Sequence, residues 1–374
     1  MRVPVVNYPS DLEKGLYEGK LYGYYYPESN EYNILTNFKE SLNGSGYIGI
    51  ITKSKKIQQS EINLVGYWAD NQIIFNHLNI ECVNRPYDIL LNIYSRNTGI
   101  LETDVMLNKS AIISGAGSVG SLVALELARA GVGKFLLIDN DVLSYHNICR
   151  HQLGIKDIGK FKVLALSDKI KEINPLAEVS TYVGIIEDID KSVYDQFVTP
   201  NTIIIGCADN READLYANHI SAIYSIPFVS IGFWERAFAG EIFFAIPNQT
   251  PCYECLFGKS TNNLSARSSQ NHRFYSNEED LSLTRFEPGI SVDINYITII
   301  GVKIIIDLLN IETPKYTPRL LNEISQYTLI CNTNDVSIAG NQVEIFSYPL
   351  QITRSIKIDY NPLCVICGKS PHKS

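Results

Sequence analysis

The chain has 374 residues, 45% of them hydrophobic and 19% charged, the balance of a soluble globular protein long enough for one large or two ordinary domains. A formal net charge of −8 excludes the broad basic surface with which general nucleic-acid or anionic-membrane binders hold phosphate. The opening MRVPVVNYPSDLEKG lacks the apolar core of a signal peptide, and the most apolar run, 296–309, carries Lys303 and Asp307 and is too short to span a bilayer; a cytoplasmic location is expected.

Residues 1–105 read as a separate small α+β module. Short β-like runs at 21–26, 47–52 and 72–75 are punctuated by Gly and Ser at 43–46, with no nucleotide signature. Tyr22, Tyr24, Tyr25 and Tyr26 suit either a partner-facing surface or a half-buried strand. From 106 to 374 the pattern changes. An apolar run at 111–114 ends directly in Gly115, Gly117 and Gly120, the GxGxxG spacing of a strand-to-helix phosphate turn. Glycine suits a tight turn whose backbone approaches an anion closely, and the helix that follows aims its N-terminal amides at that anion. Val119, Leu122, Val123, Leu125 and Leu127 give the helix its apolar content, and Gly131 and Gly133 stop it. A second buried strand at 135–138 delivers Asp139 at its carboxyl end, where an acid reaches ribose hydroxyls in a dinucleotide fold. To this point an NAD enzyme would read the same way.

The next segment is more specific. Asn147, Arg150 and Lys162 follow Asp139 in a polar stretch. A dinucleotide's phosphates are met largely by backbone, whereas a triphosphate with magnesium needs such cations to offset charge building on leaving pyrophosphate. A helical pattern then runs to about Ile173, where Asn174-Pro175 ends it, and 178–184 reads as a strand. The continuous apolar strand at 202–207 presents Ala208-Asp209-Asn210 at its carboxyl end, where open α/β sheets bind ligands; Asp209 also suits the N-cap of a helix starting near Arg211.

Further strands are expected at 226–232 and 240–246. Cys252 and Cys255 form one CxxC, Cys364 and Cys367 another; four thiolates suit a closed tetrahedral structural zinc site that pins the tail to the domain. The Ser-, Asn- and charge-rich stretch 258–285 reads as a crossover loop, 292–309 as an apolar helix, and 326–331 and 342–348 as strands extending the sheet.

These motifs together resemble the MoeB/ThiF adenylyltransferases and the ubiquitin-activating enzymes. The family pattern GxGxxG, then DxDxVxxSNxxRQ, then GxxK stands here as Gly115/Gly117/Gly120, DNDVLSYHNICRHQ and Gly159-Lys160-Phe161-Lys162. His146 replaces the usual Ser, and His151 the usual Gln. Tyr94-Ser95-Arg96-Asn97 resembles the RYSRQ ahead of the nucleotide-binding strand, although closer to Gly115 than is usual, and PCYECLF and CVICG look like the family's zinc sequences. The resemblance implies a Rossmann-like adenylation domain with a largely parallel sheet, using ATP, Mg2+ and Zn2+. It implies that Asp139 holds the ribose, with Asp141 part of the nucleotide site. Asn147, Arg150 and Lys162 would hold phosphates, and Asp209 magnesium. Arg96 would complete the other subunit's site, so the active form would be a homodimer. An already ionised carboxylate attacks the α-phosphate in line without a general base, and catalysis rests on positioning and charge neutralisation.

The implied substrate is the C-terminal carboxylate of a small ubiquitin-like or sulfur-carrier protein. A short ribosomal peptide, as in the microcin-type adenylyltransferases with their N-terminal clamp, is the alternative. Arg285 stands where relatives carry a thioester cysteine, and no cysteine occurs between 256 and 330, which argues against a thioester there. Cys82, Cys149, Cys207 and Cys331 are left without an assigned role. Two readings from other classes are an NAD-dependent Rossmann oxidoreductase, which has no use for Arg150, Lys162 and Asp209 together, and a non-catalytic scaffold, which has no need of a full ATP set.

Overall fold

The computed structural model describes residues 2–36, 46–53, 63–234, 237–258, 289–332 and 353–367. The expected crossover loop, from 259 onward, and the expected strand at 342–348 lie outside them. The chain divides into two compact units, Met1–Arg96 and Asn97–Ser374.

The first unit is a mixed sheet of β1 (Val5–Pro9), β2 (Gly19–Tyr26), β3 (Glu31–Thr36), β4 (Gly46–Thr52), β5 (Leu64–Ala69), β6 (Gln72–His77), β7 (Ile80–Glu81) and β8 (Val83–Tyr87), with short helices α1 (Asp11–Lys14) and α2 (Ile89–Ile93). The strand order is β7-β6-β5-β4-β2-β3-β1-β8. Val6, Leu21, Tyr32, Ile34, Ile51, Leu64 and Phe75 form its core. Period-2 alternation splits the tyrosine run: Tyr24 and Tyr26 are exposed, whereas Tyr25 stacks on buried Tyr32 with ring centroids 4.4 Å apart.

The second unit runs α3 (Thr103–Leu107), β9 (Ser110–Ser114), α4 (Ser118–Ala130), β10 (Lys134–Ile138), α5 (Lys162–Ile173), β11 (Glu178–Tyr182), α6 (Lys191–Phe197), β12 (Thr202–Gly206), α7 (Arg211–Tyr224), β13 (Phe228–Phe233), β14 (Ala239–Ala245), α8 (Tyr253–Phe257), α9 (Ser291–Asn310), β15 (Tyr327–Cys331) and β16 (Thr353–Ile356). Its sheet has the order β11-β10-β9-β12-β13-β14-β15-β16. The first five of these pair in parallel, and the last three are added antiparallel. Strand sides alternate between two cores: Ala111, Ile113, Phe135, Leu137, Ile203 and Ile205 share one with α4, α5 and α9, and Ile112, Leu136, Ile138 and Ile204 share the other with α6 and α7. Two-sided burial explains why these strands read as unbroken apolar runs.

This is a doubly wound sheet. The chain goes one way from β9 to β10 and β11, then returns to the other side of β9 as β12, which makes the β9/β12 boundary a topological switch point. Helix α4 ends on Gly131 in the left-handed conformation, φ 98°, as the Gly131/Gly133 stop predicts. The α5 stop at Asn174 has a second cause: its buried amide donates from Nδ2 to the Val132 carbonyl at 3.1 Å, and its Oδ1 accepts from the Leu176 amide. No described helix is long and apolar enough to cross a membrane.

Candidate active site

The glycine turn sits at the switch point, and each of its glycines answers a different demand. Gly115 has φ 94°, and a side chain there would press within 2.7 Å of the Cys207–Ala208 backbone at the end of β12. A Cβ on Gly120 would collide with the Gly115 carbonyl, so this glycine lets the helix start seat against the turn. A Cβ on Gly117, the residue capping α4, would meet nothing within 4 Å. Two glycines are therefore needed by the fold itself, while Gly117 faces open space. The N-cap of α4, Gly117, makes no side-chain capping bond to the helix's first amides.

Asp139, at the end of β10, holds the turn from the side. Its Oδ2 accepts from the Ala116 amide at 2.7 Å and its Oδ1 from the Asp141 amide at 2.7 Å. Both carboxylate oxygens thus orient backbone, whatever further contact the residue makes. A short ladder follows: Lys162 N donates to Asp141 O, Leu143 N to Lys160 O, and Gly159 N to Leu143 O, with Val142 bridging Phe161. Gly159 permits the reversal through φ 86°. The ladder brings Lys162 Nζ to 2.6 Å from Asp141 Oδ2, with the lysine side chain 9% exposed and the carboxylate 62% exposed.

Between the rungs, Asn147 Oδ1 accepts from the Ser144 amide at 3.0 Å and so fixes the turn that presents Arg150. The Arg150 Nη1 atom would stand 3.7 Å from a Cβ on Gly289, just ahead of α9. His151 is buried and bonded to the glycine turn itself: its Nε2 lies 2.7 Å from the Ala116 carbonyl, and Leu153 N donates to its Nδ1 at 3.1 Å. Asp209 is exposed immediately past the Cys207–Ala208 backbone that Gly115 touches. The N-cap of α7 is Asn210, whose Oδ1 accepts from Ala213 N at 2.7 Å. Arg96 is exposed at the end of the first unit.

The four CxxC sulfurs converge as their spacing predicts. Cys252–Cys364 is 3.5 Å, Cys255–Cys367 3.2 Å, Cys364–Cys367 3.7 Å and Cys252–Cys255 4.0 Å. These are too long for disulfides and bracket the roughly 3.8 Å between sulfurs placed about 2.3 Å from a tetrahedral zinc. The residues fit a closed metal site. A hydrogen bond from Cys252 holds the Cys255 thiol down to about 5 against the pull of burial, and the same contact pushes Cys252 up.

A buried polar network joins this cluster to α7. Arg211 donates to Glu241 at 2.9 Å and to the Tyr253 hydroxyl at 2.6 Å, and its guanidinium lies 3.6 Å over the Phe257 ring. Tyr327 donates to Glu241 at 2.6 Å, and Tyr253 and Ser230 donate to Asp214 at 3.3 and 2.7 Å. Sequence reasoning assigned no role to Arg211, Glu241 or His151, because each depends on partners distant in the chain; only the departure from Gln at 151 was visible.

The ThiF family model matches residues 92–355. The chain is 29% identical over 185 residues to ubiquitin-like modifier-activating enzyme 5 of Dictyostelium discoideum, covering 46% of this chain and 48% of that protein. It is also 29% identical over 183 residues to the enzyme of the same name from Drosophila willistoni, covering 46% and 44%. The chain thus spans about half the length of the curated relatives it matches. Among solved structures, E. coli MccB bound to MccA-N7isoASN superposes with a TM-score of 0.54 at 21% identity over 74% of this chain and 75% of that one. E. coli MccB with ATP gives 0.53 at 21% identity over 74% of each chain. These structural likenesses show a shared fold, and with the family match over most of its length, the chain belongs to the ThiF family.

Proposed function

We propose that the protein is an adenylyltransferase that uses ATP and magnesium to activate the C-terminal carboxylate of a small ubiquitin-like or sulfur-carrier protein, releasing pyrophosphate. The observation that carries this reading is Lys162: an ammonium held in a nearly buried position beside the exposed carboxylate of Asp141, whose amide donates to the same Asp139 that holds the glycine turn. A nicotinamide site has no such requirement, whereas a leaving pyrophosphate does. In the proposed site, Gly115, Gly117 and Gly120 shape the phosphate turn, and Asp139 orients its Ala116 amide while serving the ribose. Asp141 keeps Lys162 in place until phosphate replaces it. Asn147 and Arg150 hold phosphate oxygens, and Asp209 would hold magnesium, which when bound would supply charge compensation for the leaving pyrophosphate. The substrate carboxylate needs no base; in-line placement and charge compensation supply the rate. Arg96 serves the second subunit of a homodimer, and Cys252, Cys255, Cys364 and Cys367 hold a structural zinc.

The curated relatives named as ubiquitin-like modifier-activating enzymes support a protein partner. A short peptide substrate is the second reading, supported by the fold shared with MccB in complex with N-formylated MccA, at a TM-score of 0.54. With Arg285 at the usual crossover position, the reading places no thioester there; of the cysteines outside the CxxC cluster, Cys82, Cys207 and Cys331 are buried and Cys149 is exposed. ATP–pyrophosphate exchange with magnesium, with and without candidate carriers and peptides and beside an Asp209→Ala control, tests the reading. Exchange that requires one partner class and is lost in the control supports it; binding of NAD in place of ATP overturns it.

A further inference from the structure

The nucleotide turn depends on a histidine whose protonation state is set by its two neighbours. Leu153 N–H can only donate, so Nδ1 of His151 must carry a lone pair; the ring proton then sits on Nε2 and is donated to the Ala116 carbonyl. Ala116 lies between Gly115 and Gly117, and its amide is taken by Asp139. Its peptide groups are thereby fixed from two sides, by a carboxylate on the N–H and an imidazole on the C=O. We infer that His151 is the positioning residue of the nucleotide turn: as a neutral Nε2–H imidazole it locks the peptide that presents Gly117 and the first amides of α4 to phosphate. This rests on the ATP-site reading above.

A second proton on the ring would put an N–H against the Leu153 amide and replace an acceptor with a clash of two donors. Burial, the largest influence, holds His151 below the ordinary histidine range; the Ala116 bond raises it, Lys162 lowers it, and Asp139 and Asp157 raise it. These are the charged groups that act on it from β10, the 3₁₀ turn at Ile155–Asp157 and α5. The sign follows: a depressed histidine favours the locked turn fully above about pH 6.5, and that contribution is lost as pH falls through the folded value. Nucleotide affinity therefore weakens on acidification through the turn as well as through the phosphate, which also titrates near pH 6.

The test uses the full chain with a fluorescent ATP analogue and magnesium between pH 5.5 and 8, with His151→Gln and His151→Ala. Glutamine can donate to Ala116 and accept from Leu153 but does not titrate. H151Q is expected to bind near the wild-type level at pH 7.5 and to lack the part of the acid loss that belongs to His151. H151A is expected to bind about 5–10-fold more weakly across the range, the size of one lost hydrogen bond, with a smaller change in kcat of exchange. The imidazole 15N chemical shifts of the ligand-free wild type are expected to report the Nε2–H tautomer, a readout that survives a poorly folding H151A. Wild-type affinity in H151A, an H151Q profile that overlays the wild type, or the Nδ1–H tautomer overturns the inference alone. Failure of the wild type to bind ATP at pH 7.5 overturns the site reading, and this inference with it.

Discussion

Asp141 and Lys162 are 21 positions apart and meet at 2.6 Å, because a short antiparallel ladder folds the Lys160–Lys162 backbone onto the residues following β10. The pair is asymmetric, with the ammonium nearly buried and the carboxylate mostly in water. With its carboxylate mostly in water the pair adds less to stability than a fully buried one, and its effect is to hold the ammonium in one place.

Replacing Lys162 with Met keeps the buried stem and removes the charge. Pyrophosphate exchange is expected to fall about 10²–10³-fold, the usual loss when one preorganised group facing developing charge is removed, while the melting temperature moves by only a few degrees. Asp141→Asn is expected to be much milder, because Lys162 remains. An equal loss in both variants, by initial-rate exchange assays, would show that the pair matters for folding rather than chemistry.

The glycines separate folding from binding. Gly120→Ala forces a methyl into the Gly115 carbonyl, and overpacking of this kind costs about 1–3 kcal/mol or more; thermal unfolding is expected at a lower temperature. Gly117→Ala enters open space, so its melting curve should match the wild type while nucleotide binding is lost. Calorimetric unfolding and ATP titration on the two variants check this crossed pattern.

Much of the central unit is legible before any coordinates. The strand–turn–helix of β9 and α4, the stop at Gly131 and the α5 start at Lys162 are local, written in apolar runs and glycine placement within about twenty residues. Two CxxC pairs 112 positions apart were also readable, since metal-ligand spacing is a chemical constraint independent of fold. The first unit was legible only as strands: its order mixes parallel and antiparallel neighbours, and nothing local says that β1 lies between β3 and β8. His151 was visible merely as a substitution, because its bond crosses 35 positions to a backbone oxygen that has no side-chain signature. Nothing local marks Arg211 and Glu241 as a buried pair, yet their side chains are 6% and 3% exposed.

Asp209 and Asn210 are adjacent, yet their variants should fail differently. Asn210 caps α7, and Asn210→Ala is expected to cost about 1 kcal/mol of stability while leaving most exchange activity. Asp209→Ala is expected to abolish magnesium-dependent exchange with the smaller stability change. Measuring the magnesium concentration for half-maximal rate adds a direct check: it should rise in Asp209→Asn and stay put in Asn210→Ala.

The cysteine cluster should report on the proposed nucleotide site through Tyr253. That residue lies between Cys252 and Cys255, and its hydroxyl accepts from Arg211, the first residue of α7, two positions after Asp209. Metal analysis of the purified chain is expected to give one zinc, and Cys364→Ser to lose it together with thermal stability, since metal affinity is folding free energy when the ligands come from distant segments. Tyr253→Phe keeps every sulfur and should keep the zinc. It removes the hydrogen bond from the buried Arg211 guanidinium and the longer one to Asp214, at a cost of about 1.5–3 kcal/mol for each bond to a charged group. Arg211→Met, which strands the Glu241 carboxylate, should cost about 3–5 kcal/mol. If chelation of the zinc weakens magnesium–ATP affinity in the wild type but adds nothing in Tyr253→Phe, the coupling runs through this hydroxyl. Equal weakening in both would assign it to the sheet as a whole.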